Sequence, residues 1–175
     1  MRAFELAPRM IADLRVKAPL ADALFSPDGK WIVAASEDGE VVVLESAGYR
    51  ERFRFEAGGP PGKLVFSPDS KYIGVPVGED DVVVWDLESG TETARVTHQG
   101  TPAPKISGPT VFDTIFMLSG KTQIAFSHDS ASFATAHLEF STALVRSLRG
   151  GALLRRWEGR DVSDGQPGYD SAGIQ

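Results

Sequence analysis

The chain has 175 residues, of which 42% are hydrophobic and 24% charged, and its formal net charge is −6. This balance is typical of a folded globular protein, and the negative charge disfavours a general binder of nucleic acid or of anionic membranes. The lack of cysteine excludes disulfides and thiolate metal sites. Since no signal-peptide pattern and no run of membrane-spanning length is found, we expect a cytoplasmic protein.

Residues 1–16 match, in their pattern, the end of the repeating unit that follows. Phe4-Glu5-Leu6 takes the place of Trp85-Asp86-Leu87, and residues 10–16 take the place of an outer strand. Two interpretations remain open for this segment. It is either a strand that completes another unit or an ordinary edge strand with loose attachment.

Residues 19–56 and 60–98 each predict a four-stranded antiparallel sheet, because runs of β-branched and aromatic residues are separated by Gly, Pro, Asp and Ser clusters. In the second unit the strands are predicted at Lys63–Phe66, Lys71–Val77, Asp81–Trp85 and Thr91–Val96.

The last strand of the first unit, Tyr49–Glu56, alternates between aromatic residues on one face and arginines at 50, 52 and 54 on the other. We interpret the arginines as a solvated outer face, which also discourages aggregation between sheet edges. The alternative is that they bind an anionic partner.

Residues 100–120 interrupt the repeat. Residues 101–109 are loop-like, whereas 111–118 are apolar enough to be buried, so this insertion predicts either an extra strand, a functional lid or a packing segment.

A third unit follows at 121–160, with its last two strands at Thr142–Val145 and Leu153–Trp157. Residues 161–175 are rich in Gly, Ser and Asp and predict a flexible tail, or the ragged end of a truncated gene.

One turn sequence recurs in all three units. A shift of about 41 residues brings FSPDG at 25–29 onto FSPDS at 66–70, and a further shift of about 60 brings FSHDS at 126–130 onto the same turn. The first shift also aligns VVVLE at 41–45 with VVVWD at 82–86. A period of roughly 40–45 residues with four strands per unit is typical of propeller arrays.

The turn and the VVVWD run together resemble the WD-repeat β-propeller family. The resemblance implies an all-β fold of β-propeller blades, each a four-stranded antiparallel sheet, over residues 1–160. Because propellers close with about 4–8 blades, we predict an incomplete ring of three blades plus an N-terminal strand. In a closed ring such a strand often clasps the two chain ends together.

The resemblance implies structural roles for the repeated motif residues. In the family, the Trp of the third strand joins a hydrogen-bond network with a Ser or Thr of the second strand, a His near the blade start and an Asp of the second hairpin. The residues predicted to be structural are Trp85, Asp86, Asp28, Asp69 and Asp129.

This network is predicted to be incomplete in every blade. In the first blade Ser36 and Asp38 match, but Leu44 stands in place of the Trp. In the second blade the Trp is present, but Val77 replaces the Ser or Thr. No Gly-His pair precedes any blade, and the nearest equivalent is at residues 98–100. Hydrophobic packing is therefore expected to supply more of the stability.

The family geometry places the second-strand hairpins and the linkers that enter each blade on one rim, which is the usual partner-binding surface. Acidic hairpins there are either solvated turns or a site for a basic peptide. A cation site is disfavoured, because the ligand spacing of a Ca²⁺ loop is missing and the histidines have no identified carboxylate partner. The rim residues predicted to contact a protein partner are Glu37, Asp38, Glu79, Asp80, Asp81, His98, His137 and Glu139.

Residues 128–130, His-Asp-Ser, include the three residue types of a hydrolytic triad. Consecutive residues in a turn cannot form the relay, which needs side chains that converge from separate elements. Neither a phosphate-binding glycine loop nor a G-x-S-x-G elbow is found. The sequence therefore predicts no catalytic residue, no cofactor and no metal.

The third blade is locally basic within an acidic chain, with arginines at 146, 149, 155, 156 and 160. Such asymmetry favours association with an acidic partner or between chains, although ordinary surface arginines are the simpler interpretation. An open arc also leaves two sheet faces uncovered, so we expect self-association that closes the ring.

These observations favour a non-catalytic protein–protein interaction scaffold of the WD-repeat type, with no nucleic-acid or membrane partner. The alternative is a gating or sensor propeller cut from a larger enzyme. The FSPDG-type turn also resembles the propellers of prolyl-oligopeptidase-like hydrolases, and a signalling kinase is a further candidate.

Overall fold

The computed structural model describes residues 16–99, 122–140 and 142–158. These residues form three antiparallel sheets of four strands each, and no helix occurs among them. Sheet A comprises β1 (Leu20–Phe25), β2 (Trp31–Ser36), β3 (Glu40–Glu45) and β4 (Arg50–Glu56). Sheet B comprises β5 (Val65–Phe66), β6 (Tyr72–Val77), β7 (Asp81–Asp86) and β8 (Thr91–Thr97). Sheet C comprises β9 (Thr122–Phe126), β10 (Ser132–His137), β11 (Thr142–Ser147) and β12 (Leu153–Glu158).

The all-β class and the four-stranded antiparallel sheets confirm the predicted fold class, and the ring is not closed. The strands predicted individually in sheets B and C begin and end within two residues of their observed bounds. The predictions for residues 1–15, 100–121, 141 and 159–175, which include Arg160, lie outside the described residues.

The turn between the first two strands has the same hydrogen bonds in every sheet. In sheet A the Ser26 hydroxyl donates to Asp28 Oδ1 at 2.7 Å and accepts from the Trp31 amide at 2.9 Å. The Ser26 hydroxyl and the backbone amide of Lys30 hold the pKa of Asp28 at about 2. In sheet B the Ser67 hydroxyl donates to Asp69 and accepts from the Tyr72 amide, and in sheet C the Ser127 hydroxyl donates to Asp129 and accepts from the Ser132 amide. The recurrent sequence thus forms one recurrent structure.

Neighbouring turns are also bonded to each other. The Asp28 amide donates to Ser70 Oγ at 3.0 Å, and the Asp69 amide donates to Ser130 Oγ at 3.1 Å. Both serines have positive φ, 62° and 53°, which is uncommon for residues other than glycine. These two bonds link the turns of the three sheets in order.

The apolar faces stack the three sheets with sheet B in the middle. Successive residues of a strand point to opposite faces, so the VVV run of β7 contributes to both. One face of sheet B packs against sheet A in a core that includes Val83, Ile73, Val75, Val41, Val43 and Phe55. The other face packs against sheet C in a core that includes Val82, Val84, Val96, Ile124, Phe133 and Leu144.

The outer strand β4 departs from the predicted strict alternation. A β-bulge between Val43 and Leu44 shifts the register, so that Phe53 pairs with Val43 and Glu51 with Leu44. Tyr49, predicted to begin the strand, lies in the preceding turn with a φ of 55°. The predicted alternation is therefore wrong at this end of the strand, because the bulge adds one residue to β4 and Tyr49 belongs to the turn.

Two of the three arginines on this strand have carboxylate partners. Arg54 is 2.7 Å from Glu40 and also binds Glu51, and Arg50 is 3.6 Å from Glu45. These ion pairs support a charged, solvated outer face rather than a row of cations available to an anionic partner.

The two ends of the stack differ in exposure. One position recurs on the last strand of each sheet, where the residue pairs with the second residue of the preceding strand. It is occupied by Phe55 on β4, Val96 on β8 and Trp157 on β12. Phe55 is 8% exposed and Val96 1%, since the next sheet covers each of them, whereas Trp157 is 49% exposed. The stack is therefore open beyond sheet C.

At the opposite end, Ala34 and Val42 lie on the face of sheet A that points away from sheet B, and both are buried. The expectation of two exposed sheet faces is thus correct for sheet C and wrong for sheet A. The apolar surface available for self-association is correspondingly smaller.

Close packing between sheets B and C depends on the lack of a side chain at residue 74. A Cβ added to Gly74 would lie 2.5 Å from Ile124 Cδ1, well inside van der Waals contact. The backbone of β6 can therefore approach sheet C only because this residue is glycine.

We predict that Gly74→Ala lowers the free energy of unfolding by about 1–3 kcal/mol, because overpacking displaces the facing sheet. Urea denaturation would measure the change. In an Ile124→Val background, which lacks Cδ1, the same substitution is expected to cost less. Equal costs in the two backgrounds would contradict this account of the contact.

Candidate interaction surface

The second-strand hairpins and the linkers between sheets lie on one edge of the stack. The Ala57 amide donates to the Gly39 carbonyl and the Gly78 amide donates to the Pro60 carbonyl, each at 2.9 Å. Thr122 Oγ1 donates to the Glu79 carbonyl. We call this edge the hairpin rim, and it comprises residues 37–39, 57–62, 78–81, 98–99 and 137–140.

Several carboxylates of the hairpin rim are bound within the chain. The Ser36 hydroxyl donates to Asp38 Oδ1 at 2.5 Å and holds the pKa of Asp38 below its ordinary value. Asp80 Oδ1 lies 3.0 Å from His137 Nε2. Asp81 lies 3.8 Å from Arg95. These carboxylates hold the hairpins in place.

Four of the predicted rim residues have exposed side chains, and one of them is the Asp38 that Ser36 binds. Exposed side chains of this group are Glu37, Asp38, Glu79 and Glu139. Glu79 and Glu139 also have interactions within the chain. The surface of the hairpin rim is thus acidic at its exposed positions.

The two predicted rim histidines are buried, which corrects their assignment as contact residues. His98 is 2% exposed and His137 is 1% exposed. The His137 ring stacks on Phe140 with centroids 4.1 Å apart, and its Nδ1 accepts a hydrogen bond from the Phe140 amide at 3.2 Å. Neither side chain can reach a partner on the surface, because each is enclosed between sheets B and C.

A buried polar cluster takes shape around these histidines. His98 Nδ1 lies 3.1 Å from Thr142 Oγ1, and Nε2 lies 2.9 Å from Thr135 Oγ1. We call Asp80, His98, Thr135, His137 and Thr142 the histidine cluster. Because Asp80 and His98 follow strands of sheet B and the others belong to sheet C, the cluster joins the two sheets.

This cluster is not predicted from the sequence. Residues 100–120 separate His98 from sheet C along the chain, so its partners in that sheet were not apparent. The available signal was in β10 and β11, where threonines and a histidine occupy positions that face sheet B. Polar residues at buried positions of a strand need partners.

Burial lowers the pKa of His98, and the neighbouring His137 and the cations Arg146 and Arg156 lower it further, while Asp80 opposes them. The folded protein therefore holds His98 neutral at pH values where the unfolded chain takes up a proton. Stability from this group is complete above the ordinary value of 6.5 and is lost as pH falls through the lower folded pKa.

We predict that the free energy of unfolding falls as the pH is lowered from about 7.5 to about 5, and that His98→Gln reduces this fall. Glutamine keeps a donor and an acceptor but does not titrate. Denaturation at several pH values would measure both slopes. If wild type and variant lose stability in parallel, His98 is not the group responsible.

The Trp-Asp pair contributes packing and a turn. The Trp85 ring stacks on Phe55 with centroids 3.9 Å apart, and its buried Nε1 has no hydrogen-bond partner. Asp86 Oδ1 accepts from the amides of Glu88 and Ser89 at 2.9 and 2.8 Å. The missing partner of Trp85 agrees with the replacement of the family's Ser or Thr by Val77.

The side chains of residues 128–130 do not form a relay. Asp129 accepts from the Ser127 hydroxyl at 2.6 Å, and Ser130 accepts from the Asp69 amide. His128 is exposed. Each side chain therefore has a separate environment on the turn.

In 16–99, 122–140 and 142–158, His, Asp and Glu side chains nowhere gather in threes that could hold a metal ion. Over the same ranges, no helix has the length and hydropathy to cross a membrane.

The chain is similar in structure to U3-55K, a WD40 propeller protein, with a TM-score of 0.61 and 12% sequence identity. The similarity covers 86% of this chain and 42% of that chain. No family model and no curated protein matches the sequence. At this identity the likeness shows the fold alone, and together with the three four-stranded sheets it fits a partial WD-like propeller.

Proposed function

We propose that this chain is a non-catalytic interaction module of the WD-repeat type that binds a protein partner through the hairpin rim. The observation that carries the proposal is the position of exposed carboxylates on the successive hairpins of one edge of the stack. Each of the three sheets contributes at least one of them to the hairpin rim, namely Glu37 and Asp38, Glu79, and Glu139. The fold shared with a WD40 scaffold protein supports an interaction role in general.

The chemistry of the rim favours a basic partner segment. Glu37 and Asp38 of sheet A and Glu79 of sheet B are exposed carboxylates on successive hairpins. A surface with several charges of one sign accelerates and orients the approach of a partner with charges of the opposite sign. The partner we infer is therefore a lysine- or arginine-rich segment of another protein.

Self-association through sheet C is a second part of the proposal. Its outward face carries Ala134, Ala136, Ala143 and Val145, the positions at which sheets A and B are covered by their neighbours. These four side chains are half-buried, and Trp157 on the same face is 49% exposed. A partly exposed apolar face of this kind favours association. The alternative of a propeller within a larger enzyme rests on the same open face and on the FSPDG-type turn.

We predict that Glu37→Lys reduces capture of partners from an extract of the source cells about two- to fivefold, the scale of an exposed ion pair worth about 0.5–1 kcal/mol. The matched control is Glu88→Lys, which changes an exposed charge on the opposite edge of the stack. Quantitative mass spectrometry of crosslinked complexes would measure both. Equal capture by the two variants, or turnover of a substrate in a hydrolase panel, would overturn the proposal.

A further inference from the structure

The outermost strand of each sheet has one edge without a neighbouring strand. Among the strands described, β4 pairs only with β3, β8 only with β7, and β12 only with β11. Such an edge presents backbone N–H and C=O groups that can pair with another chain. Proteins usually protect these edges with charged residues or bulges.

Strands β4 and β8 carry the same protection. Arg54 binds Glu51 three residues earlier, and Arg95 binds Glu92 three residues earlier with an N–O distance of 2.8 Å. Both ion pairs lie along the outer strand itself. They place charge beside the backbone that an incoming strand would have to approach.

Strand β12 lacks the acidic member of this pair. Leu153 occupies the position on β12 that Glu51 occupies on β4 and Glu92 on β8. Each of the three pairs, across the bulge, with the fifth residue of the preceding strand. All three outer strands contain that bulge, so the bulge does not distinguish them. The difference is that a leucine replaces the glutamate.

Large apolar side chains are exposed along β12. Leu153 is 49% exposed, Leu154 58% and Trp157 49%. These three are among the few exposed large apolar residues of the described chain, and they lie within five consecutive positions. An exposed apolar edge strand is a template for strand addition.

Two adjacent cations lie between these apolar groups, at positions 155 and 156. Arg155 and Arg156 are exposed, and the Arg155 guanidinium carbon lies 5.7 Å from the centroid of the Trp157 ring. The edge therefore combines apolar contact with positive charge. Its complement is an extended segment that combines apolar residues with Asp or Glu.

A second copy of the same strand is a poor complement. In an antiparallel pair centred on β12, Arg155 or Arg156 would lie opposite an arginine of the other copy. Like charges directly opposite each other destabilise paired strands. The arginines thus disfavour self-pairing and favour an acidic segment from a different protein.

We propose that β12 accepts an extended acidic segment of a protein partner as a fifth strand of sheet C. Backbone hydrogen bonds along the free edge supply affinity, and the exposed Arg155 selects carboxylates. This inference shares with the proposed function that the partner is a protein, but it uses a different surface and an opposite charge.

The test uses a fluorescein-labelled peptide of alternating glutamate and valine, with an alternating lysine and valine peptide of the same length as the charge control. Fluorescence anisotropy on the full chain measures binding. Leu153→Glu restores the residue found in β4 and β8, and it is expected to weaken binding of the acidic peptide at least about tenfold. Leu20→Glu on β1 is the matched control, because Leu20 is also 49% exposed.

Hydrogen exchange gives the second readout. Bound acidic peptide is expected to slow exchange of β12 amides and to leave those of β4 unchanged. Circular dichroism of each variant checks that the fold is retained. The proposal is overturned if Leu153→Glu binds the acidic peptide as tightly as wild type, if the lysine peptide binds equally well, or if β12 gains no protection.

The two proposals can fail separately. Glu37→Lys is expected to bind the acidic peptide as wild type does, because the hairpin rim lies apart from β12. Loss of binding in that variant would contradict the assignment to β12. A failure of partner capture at the hairpin rim has no effect on the peptide result.

Discussion

Both faces of β7 are apolar, and the remaining structure depends on the need to cover both of them. Val82 and Val84 face sheet C, while Val83 faces sheet A, and all three are fully buried. A single four-stranded sheet cannot bury two faces by itself. Sheet B is therefore stable only as the middle layer, and Gly74 allows sheet C to approach it closely.

Buried and bonded polar groups link the stacked sheets along both edges of the stack. On one edge, Ser70 and Ser130 bond the successive turns, and on the other edge the histidine cluster joins sheets B and C. The side chains of these groups are bound to other parts of the protein, so few of them are available to react with or bind a ligand. What remains for function is at the surface, namely the acidic hairpin rim and the outer strand β12, where Leu153 replaces the glutamate that protects β4 and β8.

Much of the fold could be predicted from the sequence because its signals are local. Alternating apolar residues and the FSPDG-type turn predict strands and hairpins within a few residues. Contacts between sheets could not be predicted in the same way. His98 meets Thr135 and Thr142 across an interrupted repeat. For this reason two histidines expected on the rim are enclosed instead.

Native-state hydrogen exchange tests the central claim, the dependence of the stack on sheet B, most directly. The account predicts that amides of β6 and β7 exchange slowest, through an opening that also exposes β2, β3, β10 and β11. The three sheets would then share one unfolding free energy. Exchange of β6 and β7 that is faster than that of β2 and β3, or independent opening of sheet B, would contradict it.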